Sequence, residues 1–258
     1  MDLELRGSVA LVTGASRGIG LGIAKALAAE GCQLVLAARG EEGLAAAHQE
    51  LAKSGVEVLT HACDLTAPES PQALAKAALA RFGRVDILVN NVGGNRRKPF
   101  VETTEEDWAE LLNLNLLAHV RLTRALLPAM RAAGKGVVIF IASIFGREAG
   151  GRGLTLYNTT KSALISLAKI LSLEEAPHGI RVLSVAPGSI RFPGGSWDRR
   201  AQEDPEGIAQ FVAQNLPYGR FGTVEEVANL VVFLASPKAS LLTGACIAVD
   251  GGQSRSLI

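Results

Sequence analysis

The chain has 258 residues, of which 48% are hydrophobic and 20% are charged, and its formal net charge is +1. This balance is typical of a globular protein and gives no general attraction to nucleic acid or to a membrane surface. No apolar run in the sequence approaches the roughly 18 residues of a membrane span. Asp2 and Glu4 near the start do not suit a signal peptide. We therefore expect a cytoplasmic protein with neither nucleic-acid nor membrane partners.

The cysteines and histidines give no sign of a disulfide framework or a metal site. Cys32, Cys63 and Cys246 are odd in number, far apart and without C-x-x-C pairing. This pattern predicts reduced thiols in the cytosol. The four histidines show no ligand spacing, so we predict no metal and expect each histidine at the surface or in the core.

Short apolar runs alternate with helical patterns along the whole chain. The predicted strands are 9–13, 33–38, 56–62, 85–90, 136–143, 180–186 and 245–249. The predicted helices are 21–30, 43–54, 71–82, 105–133 with a bend near Pro128, 157–175, 205–215 and 224–235. No hairpin signal intervenes, so the pattern indicates βαβ units and a parallel sheet covered on both faces. We expect one α/β domain over residues 1–258.

The least regular stretch is 188–205, which is rich in glycine, proline and charge. We predict a mobile surface loop there. It follows the carboxyl end of a predicted strand, where open α/β sheets bind their ligands. The position therefore favours a substrate lid over about 188–215.

The turn between the first predicted strand and the first predicted helix is rich in glycine. It reads TGASRGIG over residues 13–20. Glycine lets the backbone turn tightly and approach a pyrophosphate, and the N-terminus of the following helix attracts phosphate. With a strand before it and a helix after it, the string predicts a dinucleotide-binding site.

The end of the second predicted strand indicates which dinucleotide binds. A site for NAD usually has Asp or Glu there, which accepts a hydrogen bond from the ribose 2′-hydroxyl. Here Ala38 is followed by Arg39, and Arg17 lies within the glycine turn. Two guanidinium groups suit a 2′-phosphate, so we expect NADP(H) in preference to NAD(H). Asp64 is either an acceptor for the adenine amino group or a cap of the next turn.

Further motifs follow the glycine turn in order along the chain. They are NNVGG at 90–94, Asn115, Ser143, YNTTK at 157–161, APG at 186–188 and VDGG at 249–252. Together they resemble the short-chain dehydrogenase/reductase family, and most of all its members similar to 3-oxoacyl-acyl-carrier-protein reductase, which depend on NADP. The resemblance implies a Rossmann fold, a doubly wound seven-stranded parallel sheet in the order 3-2-1-4-5-6-7, and a homotetramer.

The resemblance also implies a catalytic tetrad of Asn115, Ser143, Tyr157 and Lys161. In this family pattern Lys161 holds the nicotinamide ribose, Asn115 opens its helix to a proton-relaying water, and Asn90 steadies the fourth strand. The candidate cofactor contacts are Gly14, Ser16, Arg17, Gly18, Ile19, Gly20, Arg39, Asp64, Leu65, Asn91, Gly93, Tyr157, Lys161, Pro187, Gly188 and Ile190.

The chemistry of such a tetrad follows from its side chains. Reducing a ketone by hydride leaves negative charge on the carbonyl oxygen, which must receive a proton. A phenol, with an ordinary pKa of about 10, is a poor acid–base catalyst near neutrality. Lys161 lies one helical turn from Tyr157, and we expect its ammonium to lower the tyrosine pKa. The Ser143 hydroxyl is expected to hydrogen-bond the carbonyl oxygen.

Two departures from the family pattern affect the cofactor and the partner. Many relatives carry threonine where this chain has Phe192, so another group must hold the nicotinamide carboxamide, with Ser189 as a candidate. Relatives that use an acyl carrier protein dock it with basic residues near the helix ends. This chain has His178 where arginine is frequent, and RAAGKG keeps only Arg131 and Lys135. An acyl carrier protein is thus a weakened candidate partner, although Arg199 and Arg200 in the irregular stretch could contribute to its docking.

The sequence therefore predicts an NADP(H)-dependent enzyme of class EC 1.1.1.- that interconverts a ketone and a secondary alcohol. A 3-oxoacyl thioester is one candidate substrate. A sugar, polyol or steroid dehydrogenase of the same fold is an alternative. A non-catalytic dinucleotide-binding regulator is another, although the complete Ser–Tyr–Lys set argues against it.

Overall fold

Seven strands lie in residues 1–257, the part of the chain that the computed structural model describes. They are β1 (Val9–Thr13), β2 (Gln33–Ala38), β3 (Val58–Ala62), β4 (Ile87–Asn90), β5 (Gly136–Ile141), β6 (Ile180–Pro187) and β7 (Cys246–Val249). They form one parallel sheet in the order β3-β2-β1-β4-β5-β6-β7. The predicted fold class and strand order are confirmed.

Helices connect consecutive strands and cover both faces of the sheet. They are α1 (Gly18–Ala29), α2 (Glu41–Leu51), α3 (Ser70–Phe82), α4 (Glu105–Leu112), α5 (Ala118–Ala133), α6 (Thr155–Glu175), α7 (Ser196–Glu203), α8 (Pro205–Asn215) and α9 (Val224–Ala235). Capping boxes begin α4 at Thr104 and α9 at Thr223. Left-handed Gly83 and Gly134 end α3 and α5.

The sheet separates two apolar clusters. Side chains of successive strand residues point to opposite faces. Val12 therefore packs with Ile23 and Val231 in one cluster, whereas Leu11 packs with Leu122 in the other. With both faces buried, β1 reads as a continuous apolar run and not as an alternating one. None of the helices in residues 1–257 combines the length and the apolar character needed to cross a membrane.

The long predicted helix at 105–133 contains an irregular turn. A π-helical turn at Asn113–Leu117 separates α4 from α5, and Pro128 lies within α5. The turn surrounds Asn115, which is fully buried. A buried amide needs hydrogen-bond partners, and Asn115 finds them in Gly94 and Thr160. The irregularity thus lies at Asn115 and not at the proline.

The stretch predicted as an irregular loop, 188–205, contains α7. Its sequence is strongly charged and lacks an apolar stripe, so periodicity gives little sign of a helix. Trp197 instead anchors the helix. Its ring centroid lies 4.5 Å from that of Phe211, on which it stacks, and 5.1 Å from that of Phe221. Long-range aromatic contacts of this kind override a weak local signal.

Candidate active site

The carboxyl ends of the parallel strands meet at one edge of the sheet, where two cavities adjoin. The glycine-turn cavity, about 450 Å³ in volume, lies beside the turn after β1. The tyrosine cavity, about 300 Å³, lies beside Tyr157 and Ser143. Both are lined by Ile19, Asn91, Gly93 and Phe192, so the two cavities form one continuous cleft.

The glycine turn has a backbone that only glycine accommodates at two positions. Gly14 has a φ of +64°, in the left-handed region, and a Cβ at Gly20 would lie 2.3 Å from the Gly14 carbonyl oxygen. The turn is fastened to the end of β4, because the Asn91 amide donates to the Thr13 carbonyl at 2.8 Å and the Asn91 N–H donates to Thr13 Oγ1 at 2.9 Å. This bare, fixed backbone fits a pyrophosphate.

Two arginines and one aspartate mark the outer end of this cavity. Arg17, Arg39 and Asp64 all line it. The Asp64 carboxylate accepts hydrogen bonds from the Thr66 N–H at 2.9 Å and from its hydroxyl at 2.8 Å, which lower the Asp64 pKa. Asp64 is thus both a turn cap and a cavity residue. The guanidinium pair fits the 2′-phosphate of NADP(H).

In the tyrosine cavity, Ser143, Tyr157 and Lys161 come together. Ser143 follows β5, and its Oγ accepts a hydrogen bond from the Phe145 N–H at 3.2 Å. Tyr157 and Lys161 lie one turn apart on α6. Lys161 Nζ lies 5.8 Å from the Tyr157 ring centroid and donates to the Ile141 carbonyl at 2.8 Å.

Asn115, the fourth residue of the predicted tetrad, is buried and does not line the tyrosine cavity. Its Nδ2 donates to the Gly94 carbonyl at 2.9 Å and to Thr160 Oγ1 at 3.0 Å, and its Oδ1 accepts the Gly94 N–H at 2.8 Å. A Cβ at Gly93 would lie 3.2 Å from Asn115 Oδ1 and 3.4 Å from Lys161 Nζ. The two polar groups therefore converge beside Gly93.

Burial governs the proton equilibria of this group. It lowers the pKa of Lys161 to about 8 and raises the pKa of the Tyr157 hydroxyl, against the opposing effect of a hydrogen bond from Ser143. The lowered tyrosine pKa expected from the Tyr-x-x-x-Lys spacing is therefore not found in this chain. The physical reason is that desolvation of the phenol outweighs the Ser143 hydrogen bond, while the Lys161 ammonium donates to the Ile141 carbonyl.

The structure distributes the predicted cofactor contacts over the whole cleft. Gly18 and Gly20 lie in the first turn of α1 and line neither cavity. The contacts that line the tyrosine cavity are Ile19, Asn91, Gly93, Tyr157, Lys161, Pro187, Gly188 and Ile190. Those that line the glycine-turn cavity are Gly14, Ser16, Arg17, Ile19, Arg39, Asp64, Leu65, Asn91 and Gly93.

Phe192 lies at the junction of the two cavities. A Cβ at Gly18 would lie 2.6 Å from its ring, so the ring covers the glycine turn. Ser189, the candidate for holding the carboxamide, does not line the tyrosine cavity. Its hydroxyl accepts a hydrogen bond from Gln253 Nε2 at 3.0 Å, so its observed contact is with the C-terminal segment.

Among the lining residues of the tyrosine cavity that the sequence did not single out, three have polar or aromatic side chains, namely Asn95, Ser196 and Trp197. Asn95 directly follows the NNVGG motif, and this position next to a predicted cofactor-binding motif could have indicated that Asn95 belongs to the site. Ser196 and Trp197 lie on the unpredicted α7. Their only sequence signal is a tryptophan in an otherwise charged segment.

His119 lies in the core, which is one of the two positions expected for each histidine. It is buried, and burial lowers its pKa to about 3. Its Nδ1 lies 3.3 Å from Asn90 Oδ1, and Asn90 Nδ2 donates to Thr123 Oγ1 at 3.0 Å. Asn90 thus joins β4 to α5. Within residues 1–257 no group of three or more His, Cys, Asp or Glu is placed to hold a metal ion.

Comparison with known proteins gives the family. Residues 14–254 match the family model described as Enoyl-(Acyl carrier protein) reductase. The chain belongs to the short-chain dehydrogenase/reductase family. Among curated members, 3-oxoacyl-acyl-carrier-protein reductase FabG of Vibrio cholerae is 38% identical over 97% of this chain and 99% of its own. Short-chain reductase protein NovJ of Streptomyces niveus is 35% identical over 95% of this chain and 94% of its own.

A solved member of the family superposes on the whole chain. The crystal structure of L-sorbose reductase from Gluconobacter frateurii, complexed with NADPH and L-sorbose, has a TM-score of 0.95 and 39% identity, with 100% of both chains covered. The short-chain dehydrogenase/reductase described here is accordingly an NADP(H)-dependent oxidoreductase that interconverts a ketone and a secondary alcohol.

Proposed function

We propose that this enzyme reduces a small ketone bearing hydroxyl groups and that Tyr157 donates the proton. The observation that carries the proposal is the hydrogen-bonded Ser143–Tyr157 pair beside Lys161, in a cavity continuous with the glycine turn. When bound, NADPH supplies the hydride. An ordinary phenol is already protonated at neutral pH, and burial raises the Tyr157 pKa further, so Tyr157 is in the form that can donate a proton.

The other tetrad residues have complementary roles in this proposal. The Ser143 hydroxyl donates to the carbonyl oxygen, where negative charge develops. Lys161 holds the ribose end of the cofactor with its ammonium, and with Asn115 it returns a proton to Tyr157. Gly14, Arg17 and the remaining lining residues of the glycine-turn cavity hold the adenosine end.

The lining of the tyrosine cavity supports a polar substrate. Asn95, Ser196 and Trp197 add an amide, a hydroxyl and an indole to the wall beside Tyr157 and Ser143. A cavity of about 300 Å³ that must also admit the nicotinamide suits a short molecule. Hydroxyl groups of a ketose or polyol would satisfy these polar side chains.

Docking of an acyl carrier protein has weaker support. Arg131 is engaged by the buried Glu175 carboxylate through two hydrogen bonds, at 2.8 and 2.5 Å. Arg131, Lys135 and His178 precede β5 and β6, so they lie at the amino edge of the sheet, opposite Tyr157. A carrier bound there would not reach the tyrosine cavity of the same chain.

We also propose that residues 1–258 act as one dinucleotide-binding domain in the cytoplasm, with 188–215 as the substrate lid. Cys32, Cys63 and Cys246 are free thiols, in keeping with a reducing compartment. A homotetramer has support from exposed apolar side chains on α6, where Ile170 and Leu173 are 53% and 62% exposed.

A substrate panel tests the proposal. Purified enzyme with NADPH is given ketoses, diketones, a steroid ketone and an acetoacetyl thioester, and oxidation of NADPH is followed by absorbance. The proposal expects the highest kcat/KM with a hydroxylated small ketone. Preference for the thioester would overturn the substrate class. If no ketone caused oxidation of NADPH, a dinucleotide-binding regulator would be favoured instead.

A further inference from the structure

The segment that follows β7 reaches the turn that follows β6. Gln253 Oε1 accepts the Ser189 N–H at 2.7 Å, and Gln253 Nε2 donates to Ser189 Oγ at 3.0 Å. Ser189 is buried, with 7% of its surface exposed. One side-chain amide therefore satisfies both a backbone N–H and a hydroxyl of the same buried residue.

Gln253 contacts this turn from the side away from the tyrosine cavity. Gly188 and Ile190 line the tyrosine cavity, whereas Ser189 lines a neighbouring cavity with Ile190 and Tyr218. A Cβ at Gly188 would lie 2.7 Å from Gln253 Oε1. The Gln253 amide therefore packs against the 188–190 backbone, and Gly188 and Ile190 of this backbone line the tyrosine cavity.

The position of Gln253 is itself fixed. The Asp250 carboxylate accepts the N–H groups of Gly252 at 3.0 Å and Ser254 at 2.8 Å, and the Gln253 N–H donates to the Asp250 carbonyl at 3.1 Å. The Arg255 N–H donates to Glu148, five residues after Ser143, at 2.8 Å. The C-terminal segment is therefore bonded both to the turn after β6 and to the segment that follows Ser143.

We propose that Gln253 is a positioning residue for the nicotinamide end of the cleft. It holds the 188–190 backbone at a fixed distance from Tyr157, while the apolar ring of Phe192 offers that backbone no hydrogen bond. Losing the amide leaves the buried Ser189 N–H without its partner, which favours relaxation of the turn. Small displacements of this kind reduce catalysis strongly. The inference rests on the proposed placement of the nicotinamide beside Gly188 and Ile190.

The test compares Gln253→Met with Gln72→Met, the same change at an exposed position of α3. We measure the Kd of NADPH and of adenosine 2′,5′-bisphosphate by fluorescence titration, together with kcat/KM. Gln253→Met is expected to lower kcat/KM for NADPH roughly tenfold and to weaken NADPH binding. The Kd of adenosine 2′,5′-bisphosphate should be unchanged, because this ligand fills only the glycine-turn cavity. Gln72→Met should match the wild type in both Kd values and in kcat/KM.

Ser189→Ala provides a second variant that keeps the backbone N–H. It should lower kcat/KM about threefold in the wild-type background and have no further effect in Gln253→Met, because the bond that it removes is already absent there. Unchanged kcat/KM and NADPH binding in Gln253→Met, or equal weakening of both ligands, would overturn the proposal. A wild type that binds NADPH but reduces no ketone would instead overturn the proposed function, and the ratio of the two Kd values would still decide the role of Gln253.

Discussion

At the residue scale, the tyrosine cavity holds two titratable groups whose proton equilibria burial moves in opposite directions. Lys161 is buried and Tyr157 is partly buried. Desolvation disfavours the charged form of each, so the lysine pKa falls and the tyrosine pKa rises. The spacing of YNTTK placed the pair correctly on one helix face. Spacing carries no information about desolvation, and for that reason it misled about the direction of the tyrosine pKa.

The Lys161 pKa makes a prediction about pH. A lowered value of about 8 means that the ammonium is present below this pH and is lost above it. Because kcat/KM for NADPH reports ionisations of the free enzyme, we expect it to be level below about pH 8 and to fall above it. Lys161→Met should have low activity without this descending limb. A wild-type profile that stays level far above the lysine pKa would contradict the assignment.

Arg39 makes a prediction about the cofactor. It follows β2 and lines the glycine-turn cavity with Arg17 and Asp64. Replacing Arg39 by Asp removes a charge-assisted contact and adds a repulsive carboxylate. We expect kcat/KM with NADPH to fall by roughly one to two orders of magnitude, while NADH loses little or gains. Steady-state kinetics with both cofactors measure this, and an unchanged NADPH preference would remove Arg39 from the site.

At the element scale, the strands and most helices could be predicted because buried parallel strands read as short apolar runs between glycine-ended helices. The exceptions are elements shaped by distant partners. The π-helical turn forms around Asn115, which bonds Gly94 and Thr160. Helix α7 depends on Trp197 meeting Phe211. Neither contact is visible in local periodicity.

The proposed lid over 188–215 makes a prediction at this scale. Trp197→Ala removes the stacking on Phe211 and Phe221 and one wall of the tyrosine cavity. We expect KM for the ketone to rise about tenfold and limited proteolysis within 196–215 to accelerate, since lost aromatic packing destabilises α7. Trp108→Ala is the matched control, because Trp108 lies on α4 and lines neither cavity. Equal protease resistance of the two variants would show that Trp197 does not hold the lid.

At the scale of the whole molecule, the two apolar clusters account for the sheet, but they leave apolar side chains on the outer surface of α6. Ile170 and Leu173 are more than half exposed. Sequence periodicity predicted α6 itself, but it could not separate the side chains that face the sheet from those that stay exposed on the outer surface. That distinction needs the packing.

The exposed face of α6 predicts an effect on assembly. Leu173→Glu places a charge on this face and should shift the mass measured by light scattering from about four times 27.0 kDa toward smaller species. Ala46→Glu, on the exposed side of α2, should leave the mass unchanged. A wild type that already has the mass of a single chain would contradict the homotetramer.

The central claim is that Tyr157 protonates the carbonyl oxygen of a ketone during reduction by NADPH. The most direct measurement compares turnover and NADPH binding in the wild type and Tyr157→Phe, with the best ketone of the panel. We predict that Tyr157→Phe binds NADPH normally and loses about 10²–10⁴-fold in kcat, the usual scale of general acid–base catalysis. Near-normal turnover in Tyr157→Phe would contradict it.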